Sequence, residues 1–168
     1  MSAARTAHWK SVVDNAKTNL SPEQLDKLAY IAAWHTREGD FADSVQRNLR
    51  ITECGTFVRP EDGKTHARVV YETTVTKDMC NAHDMMHGGC SAYLVDCCTS
   101  IALVVMGLAT GSPVDLVSQS LTTTYHAGAK LFQHHTASGK RAVTARAERL
   151  AVTGNHVKMV PSKSDFKL

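Results

Sequence analysis

The feature that most constrains this chain is a run of about 20 residues, Cys90 to Ala109, that is almost entirely apolar. A run of that length suits either a membrane-spanning helix or a helix enclosed in a protein core. Asp96, Thr99 and Ser100 stand near its middle. A central Asp costs about 2.5–3.5 kcal/mol to insert into a bilayer. Glycines flank the run and the sequence contains no second one. The reading is a long buried helix with no membrane span.

The remaining segments arrange themselves around that helix. Ser21-Pro22-Glu23-Gln24 carries a capping box with proline in the first turn, which predicts a helix to about Thr36. Residues 37–48 are polar and read as loop or short helix. Arg50–Arg59 and His66–Thr76 are strand-like and flank the turn signal Pro60-Glu61-Asp62-Gly63, which predicts a hairpin. Beyond the apolar run, Ala109–Pro113 is a turn and Val114–His126 is β-prone. Arg141–Glu148 and His156–Val160 read as short strands. The order is helix, two strands, long helix, then about three strands. That predicts an α+β fold, an antiparallel sheet wrapped around a long central helix. The expected division is a helical extension over 1–48, the main domain over 49–161 and a tail over 162–168.

A chain of 168 residues suits one such domain. Its net charge of +3 comes without a dense basic block, so no nucleic-acid partner is expected. The five cysteines include no C-x-x-C pair and read as free thiols in a reducing compartment. Met1–Leu20 lacks the apolar core of a secretory signal. Arg5, Lys10 and Lys17 suggest a weak mitochondrial address that Asp14 opposes, so the cytoplasm is favoured and the mitochondrion is the alternative.

Chemistry concentrates in Asn81-Ala82-His83-Asp84-Met85-Met86-His87-Gly88-Gly89, which runs directly into the apolar helix. Glycines at a helix start let a ligand approach the backbone, and the unpaired first-turn N–H groups there stabilise a developing oxyanion. A tight loop entering a helix explains the same residues. Asp96 reads as a base or nucleophile, or else as a structural carboxylate bonded to nearby backbone. Gly88 and Asp96 lie eight residues apart, roughly 12 Å along one helix. Attack needs the reacting atoms about 3–3.5 Å apart. If both groups are catalytic, Asp96 must reach the carbonyl from a second subunit whose helix runs antiparallel, as in a two-fold dimer.

The run Asn81-x5-His87-Gly88-Gly89-x6-Asp96, followed by Val117-Ser118 and Thr124–Lys130, resembles the PaaI-like group of hotdog-fold thioesterases over about residues 50–160. The resemblance implies the hotdog fold and hydrolysis of acyl-CoA to a carboxylic acid and coenzyme A, as in fatty acid metabolism. Asp96 would be the general base or nucleophile, and the Gly88 N–H would polarise the thioester carbonyl. Asn81 would place water or carbonyl, His87 would order the loop, and Ser118 would orient water beside Asp96. Coenzyme A contacts would fall on Gly89, Ser120, Tyr125, His126, Ala127, Gly128, Ala129 and Lys130. Further contacts would fall on the turn Ser138-Gly139-Lys140-Arg141. The only cofactor implied is coenzyme A itself, as part of substrate and product. The assembly implied is a homodimer at minimum, with homotetramers common in the group. Two departures stand out: a longer loop at Gly107–Leu116, and a hairpin at Glu148-Arg149-Leu150 with almost no turn.

Other candidates carry less. His134-His135 has no third metal ligand at characteristic spacing. Cys97-Cys98 lacks a basic partner, and no serine sits in a G-x-S-x-G setting. Met85-Met86 reads as hydrophobic wall. Two other activities remain open: a non-catalytic acyl-CoA-binding protein, and a hotdog enoyl-CoA hydratase. The sequence lacks the hydratase group's usual acidic–histidine pairing.

Overall fold

A computed structural model describes residues 3–130, 134–139, 142–146 and 150–161. Lys140, Arg141, Glu148 and Arg149 of the expected hairpin, and the tail 162–168 lie outside the described residues.

The N-terminal segment builds three helices. α1 spans Ala3–Asp14 and buries Trp9 and Val13. α2 spans Pro22–His35, and its capping box forms as expected: the Gln24 N–H donates to the Ser21 Oγ, and the Ser21 N–H donates back to the Gln24 Oε1. α3 is the single short turn Asp43–Arg47. Between α1 and α2, the two-residue strand β1 (Lys17–Thr18) pairs in parallel with the next strand. Arg5 is ion-paired with Asp43, and Lys10 with Asp14 and Asp26.

β2 (Arg50–Val58) and β3 (Thr65–Thr74) form the expected hairpin. The long apolar helix, α4, runs from Gly88 to Thr110. It stops where Gly111 takes φ 73°, a left-handed conformation that suits glycine, and its N–H donates to the Gly107 carbonyl. By length and composition α4 could cross a membrane. In this fold Leu94, Val95, Cys98, Ile101 and Val105 are buried in one core with residues of α1, α2, β2 and β3. Four more strands follow: β4 (Val117–Tyr125), β5 (His134–Gly139), β6 (Ala142–Arg146) and β7 (Leu150–Met159).

The sheet order is β1-β2-β3-β5-β6-β7-β4. All pairings are antiparallel except that of β1. This is the predicted α+β architecture, with four strands after α4 rather than three. By sequence His134-His135 suits a polar surface strand or a loop equally, because His134-His135-Thr136-Ala137-Ser138-Gly139 has no alternation; pairing with β3 on one side and β6 on the other makes it the strand β5. It also makes Ser138 and Gly139 the end of a strand rather than part of a turn. β7 begins six residues before the expected His156, because Thr153-Gly154-Asn155 imitates a turn. Gly154 serves a different need there. A Cβ on it would lie 2.6 Å from Val95 Cγ1 and 2.9 Å from the Thr122 carbonyl oxygen, so α4 can lie against the sheet only over glycine.

Candidate active site

The Asn81 loop is held by its own residues. The Asn81 Oδ1 accepts from the backbone N–H of His83 at 2.9 Å and of Met85 at 3.3 Å. The Asn81 N–H donates to the Met85 carbonyl at 2.8 Å, and Asp84 takes φ 54° to close the bend. His87 caps α4: its Nδ1 accepts from the Gly89 N–H at 2.9 Å. Gly89 therefore spends its amide on the cap. The Gly88 N–H has no partner among the described residues, and it sits at the positive end of a 23-residue helix.

The segment assigned by resemblance to coenzyme A lies against this loop. The Tyr125 hydroxyl donates to the Gly88 carbonyl at 2.9 Å. The His126 and Ala127 N–H groups both donate to the Ala151 carbonyl, at 2.8 and 3.1 Å. The Met86 N–H donates to the Ala129 carbonyl at 2.7 Å, and Met85 pairs with Lys130. The Met85 methyl occupies the place of a Gly128 side chain, since a Cβ there would lie 2.0 Å from it. Ser120 stands elsewhere. The bulge between Ser118 and Ser120 pairs Ser118 with Lys158 and Ser120 with Val157, which puts the two serines on opposite faces of the sheet. Ser138 and Gly139, on β5, are separated from β4 by β6 and β7, so they lie about 14 Å away at ordinary strand spacing.

Asp96 is less enclosed than its apolar run suggests: its side chain is 40% exposed. It stands at the edge of a cavity of about 410 Å³ between α4 and the N-terminal helices. On its other side is His156, which sequence reading treated only as the start of a strand. The His156 Nδ1 lies 3.4 Å from the Asp96 Oδ1 and 2.7 Å from the Thr99 Oγ1. Its Nε2 lies 2.9 Å from the Ser118 Oγ. The Thr99 hydroxyl donates to the Val95 carbonyl at 2.7 Å, so it accepts from an Nδ1–H. A neutral His156 then accepts the Ser118 hydroxyl proton at Nε2. Burial holds the His156 pKa below its usual value despite the nearby Asp96 carboxylate, which favours that neutral form.

His156 thus joins Asp96, Thr99 and Ser118 from three elements, α4, β4 and β7. Two expectations change with it. An acidic–histidine pair exists, formed by residues too distant in sequence to be seen as one. A serine also reaches a histidine without a G-x-S-x-G turn. The thiol reading weakens, because burial pushes Cys97 up to about 12 and Cys98 well above its ordinary value. His156 had one sequence signal: it lies on a strand two residues from Lys158, so both side chains share a face.

No family model matches this sequence, and no curated protein matches it significantly. Solved structures do match in shape. The crystal structure of zebrafish thioesterase superfamily member 2 is 21% identical with a TM-score of 0.57, covering 76% of this chain and 91% of that one. Mouse thioesterase superfamily member 2 is 19% identical with a TM-score of 0.54, covering 82% and 96%. A hypothetical thioesterase protein from Streptococcus pneumoniae, solved with coenzyme A, is 23% identical with a TM-score of 0.50, covering 66% and 86%. At these identities the likeness is one of fold, and the fold of this chain is the hotdog fold that those thioesterase-superfamily structures share.

Proposed function

We propose that this protein hydrolyses acyl-CoA thioesters to a carboxylic acid and coenzyme A, in sites shared between two subunits. The observation that carries the reading is Asp96, a part-exposed carboxylate lining a cavity and linked to Ser118 through the neutral His156. The coenzyme A bound to the Streptococcus pneumoniae relative supports the substrate class. In this mechanism Asp96 takes a proton from water as its oxygen attacks the thioester carbon. The Gly88 N–H stabilises the oxyanion. The tetrahedral intermediate collapses, the C–S bond breaks, and the proton passes to the departing thiolate. Ser118 donates a hydrogen bond to His156 Nε2 and keeps its lone pairs free to hold the water.

Gly88 and Asp96 open and occupy the middle of one continuous helix, roughly 12 Å apart, so the carbonyl they share lies between subunits. The edge strand β4 supports such a partner, since Val117, Leu121 and Tyr125 are exposed along it. Asp96→Asn should nearly abolish thiol release from acyl-CoA while the dimer persists. Asn81→Ala should also be inactive alone. Subunit exchange between the two variants should restore about a quarter of the sites, because about half of all dimers are then mixed and each mixed dimer holds one intact site of its two. Undiminished turnover by Asp96→Asn would sink the mechanism, and failed complementation would sink the shared site. A burst of thiol release that Ser118→Ala removes would assign the attacking oxygen to Ser118 instead.

The Asp96–His156 pair favours one second reading, hydration of enoyl-CoA. The His156 side chain is fully enclosed and both nitrogens are engaged, which leaves it no free nitrogen for a substrate. Loss of the conjugated enoyl absorbance without thiol release would reverse that preference.

A further inference from the structure

Each hydrogen bond around His156 has a single possible direction. The Thr99 hydroxyl gives its one proton to the Val95 carbonyl at 2.7 Å, so toward the His156 Nδ1, also at 2.7 Å, it can only accept. The Asp96 carboxylate, 3.4 Å from the same nitrogen, can only accept as well. Nδ1 therefore carries the ring's proton, and the bare Nε2 takes its bond from the Ser118 hydroxyl at 2.9 Å. The side chain is wholly enclosed, so bulk water does not compete for these bonds. A second proton can enter only at Nε2, and there it reverses the bond to Ser118.

That reversal reaches the attacking water. While Ser118 donates to Nε2, its oxygen offers lone pairs to the water's protons and leaves the water's own lone pair to attack. Once an Nε2–H donates, the Ser118 proton points away from the ring and occupies the lone pair that attacks. The imidazolium also draws the Asp96 carboxylate onto itself, away from the water's proton. Among the described residues, the charged groups that face the ring come from three elements. Asp96 acts from α4 and Lys158 from the ring's own strand. Arg59, Asp62, Lys64 and His66 of the β2–β3 hairpin line a cavity that His156 also lines. Burial opposes protonation of the ring most, Asp96 favours it and Lys158 opposes it.

We propose that His156 is a positioning residue that gates turnover by pH: neutral, it aims the Ser118 lone pairs at the water, and protonated, it turns the Ser118 proton there instead. The inference rests on the thioesterase reading for the water at Asp96. The state of the ring is readable without turnover.

Nitrogen NMR of the full-length protein, with His156 assigned through its backbone, reads both tautomer and titration. Thiol release from the fastest member of an acyl-CoA chain-length panel is followed over the same pH range. The ring should be the Nδ1–H tautomer at about pH 8. Below the pH at which the ring titrates, kcat/KM should fall about tenfold per pH unit. Lys158→Met removes a charge that opposes protonation, so it should carry the titration and the kinetic limb to higher pH together. His156→Gln cannot take up the proton, so it should lose that limb and lower kcat/KM above it about tenfold. Lys158→Met keeps the test alive if His156→Gln does not fold. An Nε2–H ring, a limb that folded His156→Gln retains, or a titration that Lys158→Met moves without the limb would each overturn the gate. Absence of hydrolysis at every pH would remove the thioesterase reading and the gate with it, even where the Nδ1–H ring is found. Hydrolysis with a limb independent of His156 would remove the gate alone.

Discussion

His156 shows how one enclosed side chain organises a site it need not touch chemically. Its ring joins a helix carboxylate to a strand serine, and burial keeps it neutral. In the unfolded chain it protonates near its ordinary value of 6.5; in the folded chain it does so only at lower pH. The stability that this difference supplies is therefore full above about pH 6.5 and is lost as pH falls through the lowered folded value. His35, lowered by burial and by Lys158, adds to the same slope. Thermal melts of the wild type should show a falling Tm between about pH 7 and pH 5. His156→Gln should flatten part of that fall, and an unchanged slope would mean that the ring is not enclosed as described.

At the scale of elements, two local devices hold the site's frame. The Ser21 capping box starts α2, which supplies part of the cavity wall. Ser21→Ala should cost about 1 kcal/mol in denaturant unfolding. Gly154 lets β7 pass beneath α4, with Val95 directly over it. Gly154→Ala must displace that helix or the β4 backbone, and should cost about 1–3 kcal/mol through overpacking. Because β7 also carries His156, this variant should lower turnover beyond what its stability loss explains. Ser21→Ala should leave turnover nearly unchanged at temperatures where it is folded.

The whole molecule is incomplete as a single chain on this reading. Among the described residues β4 ends the sheet with an unpaired edge, and Leu121 is its midpoint between Val117 and Tyr125. If two copies pair along β4 about a two-fold axis, Leu121 meets its own copy. Leu121→Lys then sets like charges opposite each other, which disfavours pairing. Sedimentation should find a folded monomer, and thiol release should disappear with the dimer. A Leu121→Lys monomer that still turned over would show that one chain suffices.

The N-terminal helix cap, the β2–β3 hairpin and the limits of α4 were all legible from local patterns, because caps, turns and apolar periodicity act over a few residues. So was the hotdog arrangement, through the ordered run from Asn81 to Lys130. The polar strand β5, the true start of β7 and the two-residue β1 were not, since each is defined by its partners across the sheet. The deepest gap lies at the opening feature. The sequence alone determined that Asp96 interrupts a long apolar helix and that Gly88 lies too far along it to share one carbonyl. Only the tertiary structure decided what surrounds that carboxylate: a histidine 60 residues away, a serine on an edge strand and a cavity walled by α1 and α2. The physical reason is that packing across a sheet brings together residues whose spacing along the chain carries no trace of the contact.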